Sequence, residues 1–423
     1  MATPIPVILS PGFYIDPKDT QGKKVLLRVD FNVSIKDGQV ADSFRISRII
    51  PTIKTLTDAG ARVILLAHID DKEGGTLEPA ARFLVATFPR LFFVKDIMSE
   101  EASRAVNGMK NGDVILFENL RKWEGEKKND LQFVQYLATF GDIYMNDAFS
   151  VSHRPHASIV GLPTVLPSYF GYEFKKEVEH LSQAFDPHRP FLVVIGGAKF
   201  DTKVPLVSKF LDIADLVLVG GAIANDFIKA KGNFVGDSLV SEKEPDGIQD
   251  IIHHNKLITP LDVYTVYRGE RKNKHINEVG VGERIVDIGE RTIKMLKVAV
   301  EESEFVLWNG PLGKIEEGSV GSTEAFAKIL AGSKAISIIG GGDVVSVVDK
   351  LGVMDKFHFI STGGGAMLDF LADETLVGIE VLISAKKKQG FGTSFVAKVE
   401  SSIEETPRIA KSFFSKIKNI FSR

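Results

Sequence analysis

The chain has 423 residues, of which 44% are hydrophobic and 25% are charged, with a formal net charge of −3 and no cysteine. This length is too great for one hydrophobic core and predicts about two or three domains. The near-neutral charge gives no global reason to bind nucleic acid, and the lack of cysteine excludes disulfides, thiolate metal sites and a cysteine nucleophile.

The sequence offers no targeting or membrane segment. Residues 1–12 lack both the positively charged start and the apolar core of a signal peptide. No run of about 18 apolar residues is present, so no membrane-spanning helix is predicted. We therefore expect a cytoplasmic protein. We also expect a monomer that does not bind nucleic acid.

The first half of the chain alternates predicted strands and helices. A strand is predicted over residues 24–33, a helix over 44–60 with Asp42 or Ser43 as its cap, and a strand over 62–67. This order and spacing predict a right-handed βαβ unit in a parallel sheet. The pattern repeats with shorter strands, which are predicted over residues 91–95, 113–117 and 142–145.

Polar side chains follow these strands at their carboxyl ends. They are Asp30, Asn32, His68, Arg121 and Arg154. Arg45 lies in the first turn of the predicted helix, where the helix dipole disfavours a cation. Because the carboxyl ends of parallel strands line one crevice, we expect guanidinium groups there to bind carboxylate or phosphate. Any one of these arginines alone is more often a solvated surface residue, so the prediction rests on their equivalent positions.

The second half begins with a buried strand over residues 191–195, followed by a Gly-Gly-Ala-Lys sequence that ends at Lys199. Glycines let main-chain amides approach a ligand closely. If Asp201 or Thr202 begins a helix, both Lys199 and Lys203 lie near its positive end, which suits a phosphate group. An ordinary strand–turn–helix with two solvated lysines has the same pattern.

Four further strands of the second half also end in glycine-rich turns, within residues 216–222, 305–313, 335–343 and 357–366. None of these turns matches the P-loop spacing or the G-x-G-x-x-G fingerprint, which argues against a dehydrogenase. One glycine pair alone is an ordinary tight turn. Together, these turns predict a nucleotide-sized ligand that lies against the main chain.

The chain resembles the phosphoglycerate kinase family along residues 25–382. The motifs that carry the resemblance occur in the family's order and are RVDFNV at 28–33, ENLR at 118–121, NDAF at 146–149, HRPHAS at 153–158, GGAK at 196–199, WNGP at 308–311, GGGD at 340–343 and STGGGA at 361–366. Chance agreement on so many ordered motifs is negligible.

The resemblance implies an α/β fold with two doubly wound, Rossmann-like parallel-sheet domains joined by a helix and a hinge. Residues 1–165 would bind 3-phosphoglycerate, and residues 166–183 would form the inter-domain helix. Residues 184–384 would bind Mg-nucleotide, and residues 385–423 would form a basic amphipathic extension. Ser361 and Thr362 would lie near the hinge.

The resemblance also assigns roles to individual residues. The implied 3-phosphoglycerate ligands are Asp30, Asn32, Arg45, His68, Arg121 and Arg154. The implied nucleotide ligands are Gly197, Lys199, Lys203, Gly220, Gly221, Asn309, Glu316, Gly340, Gly341, Gly342 and Asp343. Within that set Lys199 and Lys203 would hold the phosphates, Gly220 and Gly221 would flank the adenine with Asn309 nearby, Glu316 would bind the ribose, and Asp343 would hold Mg²⁺. The implied catalytic residues are Arg45, Lys203, Gly341 and Gly364.

The implied reaction is reversible phosphoryl transfer between 1,3-bisphosphoglycerate with ADP and 3-phosphoglycerate with ATP in glycolysis. Its nucleophile is already ionised at neutral pH, so no general base is needed. Catalysis would then consist of positioning and charge neutralisation by Arg45, Lys203 and Mg²⁺. A hinge closure would bring the two ligands together and exclude water.

Two departures from the family pattern suggest weaker substrate binding. Asp70-Asp71-Lys72 stands where the family usually has Gly-Arg-Pro, so Asp71 replaces a cation near the bound phosphate. Lys72 or Lys122 would compensate in part. Val344 stands where the family has a threonine after Gly-Asp. These departures keep open an alternative function, that of a catalytically weakened paralogue acting as a nucleotide-binding scaffold through its C-terminal tail.

The tail itself is unusual. Residues 385–423 contain nine Lys and Arg but only three Glu. Apolar residues recur at helical spacing among them, at positions 409, 413, 414, 417, 420 and 421. This pattern is compatible with a helix docked on its own protein, a partner-binding helix, a membrane-surface helix or a disordered tail.

Overall fold

A computed structural model describes residues 9–70, 75–198 and 203–388. The described residues form two compact units, one within Met1–Glu179 together with Asp373–Arg423 and one within His180–Ala372. We call these the first and the second unit. The domain boundaries predicted at residues 165, 183 and 384 divide the chain by function and stay predictions.

The first unit contains a parallel sheet. The strands of this unit are β1 (Lys24–Arg28), β2 (Ile35–Lys36), β3 (Gln39–Val40), β4 (Arg62–Leu66), β5 (Leu91–Val94), β6 (Val114–Phe117), β7 (Ile143–Asn146) and β8 (Ser168–Phe170). Among the described residues, the sheet has the order β5-β6-β4-β1-β7-β8 with every pair parallel, while β2 and β3 form a hairpin. The parallel β1–β4 pair confirms the predicted βαβ unit.

Helices cover both faces of this sheet. The first six helices in chain order are α1 (Phe44–Asp58), α2 (Glu78–Val85), α3 (Glu100–Asn107), α4 (Glu124–Lys128), α5 (Leu131–Ala138) and α6 (Tyr172–Leu181). Val25 and Leu27 pack in the core that α1 and α2 cover, whereas Leu26 packs in the core of α3 and α5. Because successive strand residues point to opposite faces, an apolar run is buried on both.

β1 is shorter than the strand predicted over residues 24–33. It ends at Arg28, because the Asp30 side chain accepts a hydrogen bond from the main-chain N of Asn32 at 2.9 Å. Such a local bond competes with strand pairing. The chain therefore turns at the point where its polar residues begin.

The second unit contains a second parallel sheet and a smaller antiparallel one. Its strands are β9 (Phe191–Ile195), β10 (Leu216–Val219), β11 (Leu257–Ile258), β12 (Asp262–Tyr267), β13 (Glu270–His275), β14 (Arg284–Ile288), β15 (Phe305–Asn309), β16 (Ile336–Gly340) and β17 (Phe359–Ser361). In the part of the chain that the structure describes, the parallel sheet has the order β11-β10-β9-β15-β16-β17, and the antiparallel sheet has the order β13-β12-β14. The parallel sheet was predicted from the sequence, whereas the antiparallel sheet was not.

The remaining helices belong mostly to the second unit. They are α7 (Val204–Ile213), α8 (Ile223–Ala230), α9 (Ile248–Ile251), α10 (Glu290–Glu301), α11 (Gly321–Ala331), α12 (Gly342–Lys350), α13 (Gly365–Asp373) and α14 (Val377–Lys388). α12 and α13 follow β16 and β17 after short turns, so they begin at the carboxyl edge of the parallel sheet. In such sheets, ligands bind in the crevice at this edge.

α14 packs on the first unit. The main-chain N of Gly378 donates to the carbonyl of Ser152 at 2.9 Å. Val377 and Val381 pack against the buried cluster of Ala148, Val151, Ile159 and Val160. No helix among the described residues is both long and apolar enough to cross a bilayer.

Candidate functional site

The six residues predicted to bind 3-phosphoglycerate all belong to the first unit, where we call their surroundings the basic crevice. Asp30 is a buried anchor, with 3% of its surface exposed. Its carboxylate accepts hydrogen bonds from Arg45 Nη1 at 2.7 Å and from Ser150 Oγ at 2.5 Å. Arg45 is the second residue of α1, so Asp30 fixes a cation that the helix dipole alone would disfavour.

Asp70 lies beside three of the six predicted residues. It accepts a hydrogen bond from Arg121 Nη1 and a second one from Asn32 Nδ2 at 3.4 Å. Its Oδ2 lies 4.0 Å from Nε2 of His68. Asp70 is not among the site residues predicted from the sequence. Arg154 contributes its charge, because its guanidinium is one of the cations that lower the pKa of both His68 and Asp70.

A buried hydrogen-bond chain supports His68 from behind. Arg28 is fully buried, and its Nη2 lies 3.2 Å from Nδ1 of His68 while its Nε donates to Ser158 Oγ at 2.9 Å. Ser158 Oγ in turn donates to Glu126 at 2.6 Å, and Ser158 N donates to the same carboxylate at 2.9 Å. The fully buried Glu126 thus balances the charge of Arg28.

This chain of hydrogen bonds determines the tautomer of the His68 ring that faces the crevice. Burial lowers the pKa of His68 well below its usual value, and the nearby guanidinium groups of Arg28, Arg121, Arg154 and Arg45 lower it further. The ring is therefore neutral at pH 7. Because an arginine can only donate, Nδ1 accepts the bond from Arg28 and the ring proton lies on Nε2. His68 consequently presents a neutral N–H donor.

The second unit contains a cavity of about 490 Å³, which we call the glycine-lined cavity. Nine of the predicted residues line it, namely Gly197, Lys203, Gly221, Asn309, Glu316, Gly341, Gly342, Asp343 and Gly364. Gly220 and Gly340 are buried directly beside lining residues and are absent from the lining. Lys199, like Asp201, Thr202, Asp71 and Lys72, lies outside the described residues.

Main-chain geometry explains why glycines line this cavity. Gly221 has φ +60°, and a Cβ there would lie 2.6 Å from the main-chain N of Gly197. Gly341 has φ +100°, a region that side-chain-bearing residues rarely adopt. The chain at these turns can therefore approach a ligand only as bare backbone.

Three helices begin beside the cavity. α12 begins at Gly342 and α13 at Gly365, both of which line it, and α7 begins directly after Lys203. Lys203 is buried, with 4% of its surface exposed, and its Nζ donates to the carbonyl of Gly196. Helix N-termini and a lysine ammonium therefore lie together at one part of the cavity, an arrangement that suits a polyanion.

The predicted metal ligand lies in the first turn of α12. Burial and the charge of Glu316 raise the pKa of Asp343, whereas the charge of Lys203 lowers it. The two carboxylates and the ammonium therefore act on one another. No group of three or more His, Cys, Asp or Glu residues in the described ranges could hold a metal ion by itself.

Apolar side chains that were not predicted from the sequence also line the cavity, and we call them the apolar wall. Val263 of β12 and Ile285 and Val286 of β14 line it together with Ile228 and Leu239. Apolar side chains with a few polar groups are typical of a pocket for a flat ring. No local signal in the sequence marked Val263, Ile285 and Val286, because they come from the antiparallel sheet that was not predicted.

A family model described as phosphoglycerate kinase matches residues 15–374. The chain belongs to the phosphoglycerate kinase family. This confirms the resemblance inferred from the motifs. The model ends before α14, so that helix and the basic extension lie beyond the matched residues, and residues 389–423 lie outside the described part of the chain.

This chain aligns with nearly the whole length of its relatives in the family. The phosphoglycerate kinase of Moorella thermoacetica is 39% identical over 381 residues, which cover 86% of this chain and 97% of the relative. That of Caulobacter vibrioides (strain NA1000 / CB15N) is 37% identical over 394 residues, which cover 88% of this chain and 99% of the relative.

Solved structures of family members share the fold. Phosphoglycerate kinase from Coxiella burnetii has a TM-score of 0.72 at 33% identity, covering 86% of this chain and 97% of that one. The enzyme from Pyrococcus horikoshii has a TM-score of 0.78 at 31% identity, covering 89% of this chain and 100% of that one. The predicted pair of parallel-sheet α/β domains is therefore confirmed.

Proposed function

We propose that this chain catalyses reversible phosphoryl transfer between 1,3-bisphosphoglycerate with ADP and 3-phosphoglycerate with ATP in glycolysis. Its family is one of ATP-dependent phosphotransferases. The observation that carries the proposal is the glycine-lined cavity, where three helices begin and Lys203 is buried beside main-chain amides. Amides at helix starts together with a lysine suit nucleotide phosphates.

The basic crevice would bind 3-phosphoglycerate. Arg45, Arg121 and Arg154 offer guanidinium groups that can pair with carboxylate and phosphate oxygens. His68 would donate its neutral Nε2–H to an oxygen of the substrate. Asp30 would hold Arg45 in place, since its carboxylate already accepts from that side chain.

The glycine-lined cavity would bind the nucleotide. Lys203 and the amides of Gly197, Gly341 and Gly364 would contact the phosphates and the transferred group, together with Lys199. Gly220, Gly221 and the apolar wall would enclose the adenine with Asn309 nearby. Glu316, at the rim, would accept from ribose hydroxyls.

The chemistry needs no general base. The attacking carboxylate, or the ADP β-phosphate in the reverse direction, is ionised at neutral pH. Catalysis would consist of holding the reacting atoms about 3–3.5 Å apart and of stabilising charge on the phosphoryl group. Arg45 and Lys203 would supply that charge, and the hinge closure predicted from the sequence stays a prediction.

Mg²⁺ fits the donor set of the cavity. This ion prefers oxygen ligands and commonly binds through one or two carboxylates together with substrate phosphates. Asp343 would hold it, with Glu316 near enough to influence the same charge. When bound with the nucleotide, the ion neutralises phosphate charge.

Replacing Asp343 with asparagine is expected to raise the Mg²⁺ concentration needed for half-maximal activity by about tenfold or more, because a carboxylate ligand is lost. The measurement is a Mg²⁺ titration of turnover at fixed ATP. Asp349→Asn, an exposed position in the same helix, is the matched control and should behave like the unaltered chain. An unchanged Mg²⁺ requirement in Asp343→Asn would remove this residue from the metal site.

A coupled assay tests the proposed function. ATP consumption should depend on 3-phosphoglycerate and should be absent when either substrate or Mg²⁺ is left out. If the chain bound ATP but consumed none with 3-phosphoglycerate, the weakened-paralogue alternative would replace the proposal; the comparisons do not favour that alternative.

We further propose a cytoplasmic monomer whose partners are its small-molecule substrates, and whose basic extension contacts protein rather than lipid. The intact chain should then fail to sediment with vesicles rich in anionic lipid, and removal of residues 389–423 should change nothing in that assay. The truncation leaves α14 intact, so the first unit keeps its packing. Sedimentation that is lost on truncation would instead establish a membrane-surface role.

A further inference from the structure

We propose that Asp70 determines the affinity and selectivity of the basic crevice, because its carboxylate occupies binding groups that an anionic substrate must use. On this view, Asp70 is an internal competitor that has to be displaced when the ligand binds. The inference deepens the proposed function and rests on it for the identity of the ligand.

The contacts of Asp70 are the first argument. Its carboxylate accepts from Arg121 Nη1 and, at 3.4 Å, from Asn32 Nδ2, and it lies 4.0 Å from Nε2 of His68. Its main-chain N donates to Asn32 Oδ1 at 2.8 Å, which fixes the residue beside these groups. One side chain therefore contacts three of the six groups that would receive the substrate.

The state of Arg121 is the second argument. Its side chain is only 7% exposed, and its Nε and Nη2 are buried without a hydrogen-bond partner among the described residues. A guanidinium offers two parallel N–H groups to one carboxylate or phosphate, so these unmatched donors are suited to an incoming oxygen pair. The Asp70 side chain is 51% exposed and has room to turn toward solvent.

Charge is the third argument. Burial by itself would raise the pKa of Asp70, but its hydrogen bond to Arg121 and the charges of Arg121, Arg154 and Lys127 lower it overall. Asp70 is therefore ionised at neutral pH. A ligand's carboxylate or phosphate must compete with a negative charge that already holds the same cation.

This competition discriminates between ligands. A ligand with two anionic groups keeps contacts elsewhere in the crevice, for example with Arg45 and Arg154, while it displaces Asp70. A simple inorganic anion has only one group to offer and gains less from the exchange. We therefore infer that Asp70 lets the crevice reject inorganic sulfate and phosphate more strongly than 3-phosphoglycerate.

Direct binding tests the inference without any turnover. Calorimetry would measure binding of inorganic sulfate and of 3-phosphoglycerate to the full chain, to Asp70→Asn and to Asp70→Ser. Both variants should bind 3-phosphoglycerate about tenfold more tightly, because a charge-assisted bond no longer has to be broken. Sulfate should gain more than 3-phosphoglycerate does, and an equal or smaller gain for sulfate would overturn the inferred selectivity. Two variants guard against one of them failing to fold, which thermal unfolding would reveal.

Asp58→Asn is the matched control. It removes the same charge at the far end of α1, about 20 Å along the helix from Arg45. Its affinities for both ligands should equal those of the unaltered chain. If it tightened binding as much as Asp70→Asn did, net charge alone would explain the effect and the inference would be overturned.

Steady-state kinetics separate this inference from the proposed function. In Asp70→Asn the KM for 3-phosphoglycerate should fall while the KM for ATP stays the same. Normal turnover with unchanged or weaker ligand binding in both variants would overturn only the inference and would leave Asp70 as a structural support for Asn32 and Arg121. Tighter binding without turnover in any form would sustain the inference and overturn the proposed function.

Discussion

Replacing Lys203 with alanine is expected to lower kcat by about 100- to 1,000-fold, the usual cost of losing one charged or hydrogen-bonding group that stabilises a transition state. Lys203 is the buried ammonium of the glycine-lined cavity, directly before α7, and its charge also acts on Asp343. The measurement is the coupled assay at saturating Mg-ATP and 3-phosphoglycerate. The loss should appear mainly in kcat because the charge on the moving phosphoryl group is greatest in the transition state.

Two variants give this experiment its contrast. Lys328→Ala removes an exposed lysine of α11 in the same unit and should keep full activity. Lys203→Arg keeps the charge but changes its shape, so activity should be recovered only in part. A Lys203→Ala enzyme with kcat within about threefold of the unaltered chain would exclude Lys203 from the reaction.

Replacing Glu126 with alanine is expected to cost about 3–5 kcal/mol of unfolding free energy in the first unit. The change leaves Arg28 fully buried without its compensating carboxylate and removes the acceptor of two bonds from Ser158. Urea unfolding followed by tryptophan fluorescence measures it. The chain has two tryptophans, Trp123 in the first unit and Trp308 in the second. In a Trp308→Phe background the fluorescence reports the first unit, and in a Trp123→Phe background it reports the second.

Glu126→Gln is the informative comparison. The glutamine amide oxygen can still accept from Ser158 N, but the side chain carries no charge. The unfolding free energy of the Glu126→Gln variant should therefore lie between those of the alanine variant and the unaltered chain. If Glu126→Ala shifted the unfolding transition of the first unit no more than that of the second unit, the buried charge pair would have no measurable role. His68 should also lose its fixed ring tautomer in the alanine variant, which nitrogen NMR of the imidazole would detect.

The parallel sheets could be predicted because their sequences are distinctive. Continuous apolar strands such as Phe191–Ile195, each followed by a glycine turn, are typical of strands buried on both faces. β13 could not be found in this way, because its Glu270–His275 sequence is entirely polar and pairs only at the edge of a small sheet. Charged edge strands protect a sheet from pairing with other chains, and they remove the apolar alternation that marks a strand.

Candidate site residues could be predicted where their position at the end of a strand or the start of a helix was enough to identify them. Strand ends and helix starts placed His68 and Lys203 without knowledge of any contact. Arg28 and Ser158, by contrast, are 130 residues apart and meet only in the folded chain. The available sign for Arg28 was a charged residue directly after the apolar run of residues 25–27. Asp70 could be assigned to the site only from its contacts with Arg121 and Asn32 in the folded chain.

The packing of α14 has a consequence for how the protein is made. The first unit is built from both ends of the chain, and residues 180–372 form an insertion within it. During synthesis the surface formed by Ala148, Val151, Ile159 and Val160 stays bare until Val377 and Val381 leave the ribosome. The early part of the polypeptide must therefore wait for roughly the last tenth before this surface is covered, and this interval is when aggregation or chaperone binding is most favoured.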